Sequence, residues 1–492
     1  MLLSSRKPRT AALVTAGICV ALLAASAPQA ATPLGLGDRL FPHLGNPGYD
    51  VESYDISFTY GGDNSKPLPA VTKINARATA PLDRINLDFS HGTVRSVAVN
   101  GVPARFTTSD EDLIVTPATP MAQGQPLRIT VRHTSNPMPA KKTDVGWIRT
   151  KDGLAMANQA DAAHRVFPGN DHPSDKAYFT FRVTAPENLP AVANGRLLEK
   201  RNRAAGSATS WVYRTDHPMA TELAQVSIGR SAVLPGKGPH GLPMRDVVPA
   251  KDVKALRPWL AKTPDQIAWM ESKVGRYPFE NYGLLIAEAN TGFELETQTL
   301  SLFERDVFIR PEYPKWYVES IMVHELAHQW FGDSVSPRTW SDLWLNEGHA
   351  TWYEALHTEE KFHYALEKRM RNAYASSDTW RASGGPPAAP KGPKPGEKIS
   401  IFRPVVYDGS ALVLYALRQE IGKEAFERLE RAWVTAHEDQ SATTADFVTL
   451  ASRVAGRDLT GFFHGWLYGK KTPPMPGHPD WKSDPVRKAA KK

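Results

Sequence analysis

Cysteine is nearly absent from this chain of 492 residues: the only one is Cys19. It lies in an apolar run from Ala11 to Ala25, preceded by Arg6, Lys7 and Arg9 and closed by Ala25-Ser26-Ala27. A basic start, a short apolar stretch and a small-residue cleavage site make residues 1–30 an expected signal peptide. The run is short for a bilayer span, so secretion is expected and no transmembrane segment in the mature chain. Ile18 precedes Cys19, where a lipidation signal needs a small residue. The mature protein then has no cysteine, which excludes disulfides and leaves stability to the core. Excess charge of one sign is also small. The formal charge is +7, and removing the three leader cations gives 7 − 3 = +4. No basic stripe interleaved with aromatics is present, so nucleic acid is not an expected partner. The cations Lys482, Arg487, Lys488, Lys491 and Lys492 form a basic tail, expected over 477–492 and read as solvated. Internal repeats are lacking as well.

What is there is a globular chain, 41% hydrophobic and 23% charged, long enough for two or three domains. From Tyr49 to Ile228 apolar residues alternate: Tyr54, Ile56, Phe58 and Tyr60, then Ile85, Leu87 and Phe89, then Leu127, Ile129 and Val131. Period two predicts strands with one buried face, and Asn100-Gly101 predicts a hairpin turn. An antiparallel sheet domain, sandwich or saddle, is expected over 31–240. Near residue 250 the period becomes helical (Leu256, Leu260, Ile267, Met270). Tyr282–Ala287 and Leu295–Leu302 read as short strands. Helical patterns then run over 406–420, 423–436, 443–454 and 459–468, with a Gly/Pro/Lys-rich loop at 383–398. This mainly helical second domain is expected over 241–476.

Residues 321–330 read IMVHELAHQW. His324 and His328, four apart, share one helix face and can hold one zinc ion, with Glu325 between them free to handle a proton. Glu347 follows nineteen residues later (347 − 328 = 19) in WLNEGHATWYE. A second helix packed on the first can bring it in as third ligand, which leaves one tetrahedral position open, as in catalytic zinc sites. The metal helix is otherwise apolar, and buried His and Glu are costly without partners. Glu354, seven residues after Glu347, can orient a ligand histidine. Asp333, Asp342 and Asn346 read as turn and cap residues, and Trp330, Trp340, Trp344 and Trp352 as core.

HELAHQWFGD followed by WSDLWLNEGHATWYE resembles the paired zinc signature of the aminopeptidase N family of zinc metallopeptidases, the gluzincins that include leukotriene hydrolase. RVFPGNDHPSDKA at 165–177, PMATELAQVSIG at 218–229 and VYDGSALVLYALR at 406–418 extend the likeness. The resemblance implies a β-sheet domain on a thermolysin-like catalytic domain, in a short form without the family's C-terminal helical domain. It implies His324, His328 and Glu347 as zinc ligands and Glu325 as general base. It implies Tyr407 as the oxyanion donor, sixty residues past Glu347 (407 − 347 = 60). In Gly292-Phe293-Glu294-Leu295-Glu296-Thr297 the family's amine-anchoring glutamate falls on Glu296, with the glycine one residue out of register and the asparagine replaced. Strand alternation would put Glu294 on the same side, so Glu294 stays an alternative anchor. Gln159 falls at a second anchor position, before Phe167-Pro168-Gly169-Asn170-Asp171.

The expected protein is therefore a secreted, monomer-sized zinc aminopeptidase acting on peptides with a free N-terminus, its oligomeric state left open by the sequence. Two rivals stand beside it. One is an endopeptidase or epoxide hydrolase on the same site. The other is a catalytically silent zinc-containing surface binding protein, which would have no need of Glu325 or Tyr407.

Overall fold

The computed structural model describes residues 34–109, 111–138, 146–202, 207–289, 291–393 and 401–483. The expected signal peptide, Cys19 and most of the basic tail lie outside them. Among the described residues no helix is long and apolar enough to cross a membrane.

Alternation in the first half builds a ten-stranded sheet. Tyr49–Thr59 lies near its middle, with Tyr54, Ile56 and Phe58 buried on one face. Its antiparallel neighbour Leu68–Ala78 pairs in turn with Pro126–Ser135. Val94–Val99 and Val102–Ser109 form the hairpin predicted at Asn100-Gly101, and both turn residues take positive φ. The sheet is not wholly antiparallel as expected: Tyr49–Thr59 pairs in parallel with Tyr178–Pro186. These strands are far apart in sequence, so no hairpin constrains their sense. A second, four-stranded sheet includes Gly146–Arg149 and Leu154–Ala157.

The next sheet begins with Ser231–Lys237. This strand pairs with Pro243–Pro249, which leads through parallel pairing to Leu284–Ala287 and Ser301–Glu304. The expected strand Leu295–Leu302 is not formed. Leu295 bridges Leu302 antiparallel, and the chain turns back between them with Thr299 at φ 66°. Glu296 therefore sits in a turn, and strand alternation does not apply to it.

Helices follow: Lys315–His328, Trp344–Phe362, Leu366–Gly384, Asp408–Ile421, Lys423–Ala436, Thr444–Ala455 and Thr460–Tyr468. Each buries an apolar face in one shared core, into which Trp330, Trp344 and Trp352 insert as expected, while Trp340 joins a smaller cluster. Asp342 caps as predicted, accepting from Thr339 and from the start of the Thr444 helix. The chain after Pro476 is not a loose tail at its start. Trp481 is 6% exposed and stacks on Tyr415 and His478, and the Tyr415 hydroxyl meets His478 Nε2 at 2.9 Å.

Candidate active site

The metal helix, Lys315–His328, starts directly after Pro314, which has no N–H to satisfy. Its last turns carry His324, Glu325 and His328. The glutamate helix, Trp344–Phe362, packs on it and presents Glu347 and Glu354. Gly348 lets a third helix come close. A Cβ there would lie 2.8 Å from Ser410 Cβ, so the helix Asp408–Ile421 rests directly on the glutamate helix. That contact carries Tyr407, which caps the third helix, toward the metal helix, with its ring 6.0 Å from that of His324.

Three donors converge. His324 Nε2 and His328 Nε2 are 3.2 Å apart, and Glu347 Oε2 is 3.3 Å from the first and 3.4 Å from the second. A tetrahedral ion with bonds of about 2.0–2.1 Å needs ligand atoms about 3.3–3.4 Å apart, so the triangle has the edges zinc requires. The other ring nitrogens are engaged outward. His324 Nδ1 lies 3.2 Å from Glu354 Oε2, and His328 Nδ1 is 3.1 Å from the carbonyl of Phe331. Each Nδ1 thus donates its proton away from the centre and each Nε2 offers a lone pair to it. Among the described residues this is the one cluster of His, Cys, Asp or Glu so disposed.

The electrostatics match a site built around positive charge. Burial disfavours the His324 imidazolium, but Glu347 and Glu354 outweigh it and raise its pKa well above the usual value. Burial opposes ionisation of Glu347 too, yet His328 and His324 hold its carboxyl down at about 2. Glu354 is also held at about 2, against burial, by Arg369 and His324. Glu325 is 5% exposed, and its Oε2 has no hydrogen-bond partner among the described residues. Burial, then the carboxylates of Glu347, Glu296 and Glu325, push the Tyr407 phenol well above its ordinary value. It therefore keeps its proton and can donate it.

The two expected anchors meet although they are far apart in the chain: Gln159 Nε2 donates to Glu296 Oε1 at 2.6 Å. Glu296 is 3% exposed and acts electrostatically on His328 and Tyr407. Glu294 is held differently. Burial and Glu304 raise its carboxyl to about 7, and the carbonyl of its neighbour Phe293 accepts from Thr291.

Sequence reasoning missed Gln329, the residue after His328. Its Nε2 donates to the Glu296 carbonyl at 3.1 Å and to Asp333 Oδ2 at 2.7 Å, and its Oε1 accepts from Thr299 N and the Tyr277 hydroxyl. Asn194 and Gly195 clasp the same turn through Gln298 and Thr299. The metal helix and the sheet domain together therefore set where Glu296 stands. A polar residue between the apolar pairs Leu326-Ala327 and Trp330-Phe331 was the available signal for Gln329. Arg369, which bonds Glu354, had none, because it lies in the charged stretch LEKRMRN.

A buried metal triad, a glutamate beside it with one oxygen unbonded and a neutral phenol nearby have the parts of a hydrolytic metal site. Family comparison gives the same class. The Peptidase family M1 domain matches residues 260–466 and the Peptidase M1 N-terminal domain matches 52–223. The chain belongs to the peptidase M1 family, the aminopeptidase N family of zinc metallopeptidases. Its fold resembles the crystal structure of an M1 zinc metallopeptidase from Deinococcus radiodurans, with TM-score 0.76 and 26% identity, covering 92% of this chain and 99% of that one. A mutant of that protein bound to a Tyr-Ser-Ala substrate matches at TM-score 0.77 and 26% identity, covering 90% of this chain and 100% of that one. Aminopeptidase M1 of Arabidopsis thaliana is 26% identical over 63% of this chain and 36% of that protein. Tricorn protease-interacting factor F2 of Thermoplasma acidophilum is 25% identical over 88% of this chain and 54% of that protein. The chain spans about half the length, or less, of the curated relatives it matches.

Proposed function

We propose that this protein is a zinc-dependent aminopeptidase that removes N-terminal residues from peptides. The observation that carries the proposal is the buried Glu296 carboxylate, oriented by Gln159 at 2.6 Å and set in the field of the metal donors. A fixed carboxylate near a hydrolytic centre is what a substrate ammonium group needs. His324, His328 and Glu347 hold the zinc, which supplies a Lewis acid for the scissile carbonyl and for water. Glu325 takes the proton of the attacking water and passes it to the leaving amine. The Tyr407 hydroxyl donates to the oxygen on which negative charge develops. Glu296 and Gln159 bind the free amine and so set the distance from the chain end to the bond cut. The likeness to an M1 structure bound to a tripeptide supports a peptide substrate. The leader pattern of residues 6–27 supports an extracytoplasmic location, tested by N-terminal sequencing of exported protein.

The test is hydrolysis of free-amine aminoacyl amides beside their N-acetylated forms, with wild type and Glu325→Gln. Free amines should be cleaved, acetylated forms should not, and the variant should be inactive while still holding zinc. Equal cleavage of acetylated forms would make the enzyme an endopeptidase. No turnover by zinc-loaded wild type would return it to a binding role.

A further inference from the structure

Besides the close contact at Gly348, a residue outside both signature helices ties the glutamate helix to the start of the helix that follows Tyr407. Arg369 lies on the helix Leu366–Gly384. Its Nη1 donates to Glu354 Oε1 at 2.9 Å and its Nη2 approaches Glu354 Oε2 at 3.4 Å. Its Nε donates to Asp408 Oδ1 at 3.0 Å. Glu354 is the carboxylate on His324 Nδ1, and Asp408 directly follows Tyr407 at the start of the third helix. One rigid, planar guanidinium thus holds the orienter of a metal ligand with one edge and the carrier of the phenol with its Nε.

We propose that Arg369 is a positioning residue that couples the orientation of His324, through Glu354, to the placement of Tyr407, through Asp408. The fork suits this task. Arginine presents several donors in fixed relative directions, so two carboxylates bound to it take fixed relative positions; lysine, a point charge on a flexible stem, cannot impose that. Arg369 is about a third exposed, with Glu354 more buried than Asp408. The metal half of the link therefore lies in the drier surroundings and is the stronger one. Without Arg369, Glu354 keeps its contact to His324 but loses what fixes its own rotamer. The start of the third helix loses its tie at the same time. The proposal rests on the aminopeptidase reading for the role of Tyr407, while its metal half does not.

The experiment measures two quantities on full-length protein: zinc affinity of the apo-enzyme, by chelator competition and the visible spectrum of the cobalt(II) form, and kcat and KM at saturating zinc. Arg369→Met should weaken zinc binding about three- to tenfold, below the 10- to 100-fold that loss of a direct partner of a metal ligand costs. It should also lower kcat at least tenfold with KM within twofold. Glu354→Gln should show that larger loss of zinc affinity, and Asp408→Asn should lower kcat while zinc affinity stays within twofold. Arg369→Lys should recover one of the two effects and not both. Should Arg369→Met not fold, the Lys, Gln and Asn variants carry the test.

Unchanged zinc affinity and cobalt spectrum in Arg369→Met and Arg369→Lys would overturn the metal half. A rise in KM with kcat unchanged would make Arg369 a substrate contact. A lower melting temperature with both quantities intact would make it a fold residue only. If wild type does not turn over free-amine substrates, the aminopeptidase reading fails. Zinc affinity and the cobalt spectrum alone then decide whether Arg369 acts on His324.

Discussion

Replacing Glu296 by glutamine isolates the amine anchor. The variant keeps the shape of the side chain, and its amide oxygen can still accept from Gln159 Nε2, the bond made at 2.6 Å in the wild type. The turn is held by Gln329, Asn194 and Gly195 through main-chain atoms and Thr299, none of which the substitution touches. What is lost is one buried negative charge facing the substrate ammonium. A charge-assisted hydrogen bond contributes about 2–3 kcal/mol, and each 1.4 kcal/mol is a factor of ten, so kcat/KM for free-amine peptides should fall roughly 30- to 150-fold. Glu296 is 3% exposed, so solvent screening does little to reduce that figure. The assay is steady-state kinetics on one aminoacyl amide and its N-acetyl partner, with melting temperature and zinc content as controls. The same substitution at Glu294 is the comparison. A loss below threefold in Glu296→Gln, or a larger loss in Glu294→Gln, would refute the assignment and move the anchor to Glu294.

Tyr407→Phe should lower kcat about 100- to 1,000-fold with little change in KM, the cost of one donor aimed at developing charge; a KM effect instead would make the phenol a binding group. His133 is buried between Thr72 and Phe89, and burial lowers its pKa from 6.5 to about 4. Folding is therefore favoured above the unfolded value of 6.5, and about 3 kcal/mol is lost as pH falls toward 4. Denaturation of His133→Gln across that range should show a shallower acid slope than wild type, and equal slopes would count against this. Trp481→Ala should cost about 3 kcal/mol, read as a lower denaturation midpoint, because the ring is buried against Tyr415 and His478. A neutral result would return that segment to a loose tail.

The parts legible in the sequence are those whose geometry is local. His324 and His328 share a helix face by spacing alone, and alternation at Tyr54, Ile56 and Phe58 sets which face of a strand is buried. Helices 423–436 and 444–455 follow from periodicity, one ending at a histidine and the other at Gly456. Glu347, Tyr407, Glu296 and Gln159 needed either a packed second helix or a family resemblance to be noticed, because no local pattern links them.

Tertiary structure decided the rest, and in each case the reason is that distant segments share one buried place. Glu296 lies in a turn rather than a strand because Leu295 pairs back on Leu302 and Gln329 donates to the Glu296 carbonyl. Gln159 meets Glu296 only because the chain after Ala157 and the turn between Ala287 and Ser301 come together in space. Trp481 belongs to the core because an exposed aromatic surface on Tyr415 would otherwise face water. Arg369 looks like any charged residue of a solvated helix until Glu354 and Asp408 arrive on either side of it. Spacing thus pointed to a metal site, and the family resemblance to the residues around it. Packing determined which oxygen and nitrogen atoms face one another, since a charged side chain gains a role only from the partners that desolvate and hold it.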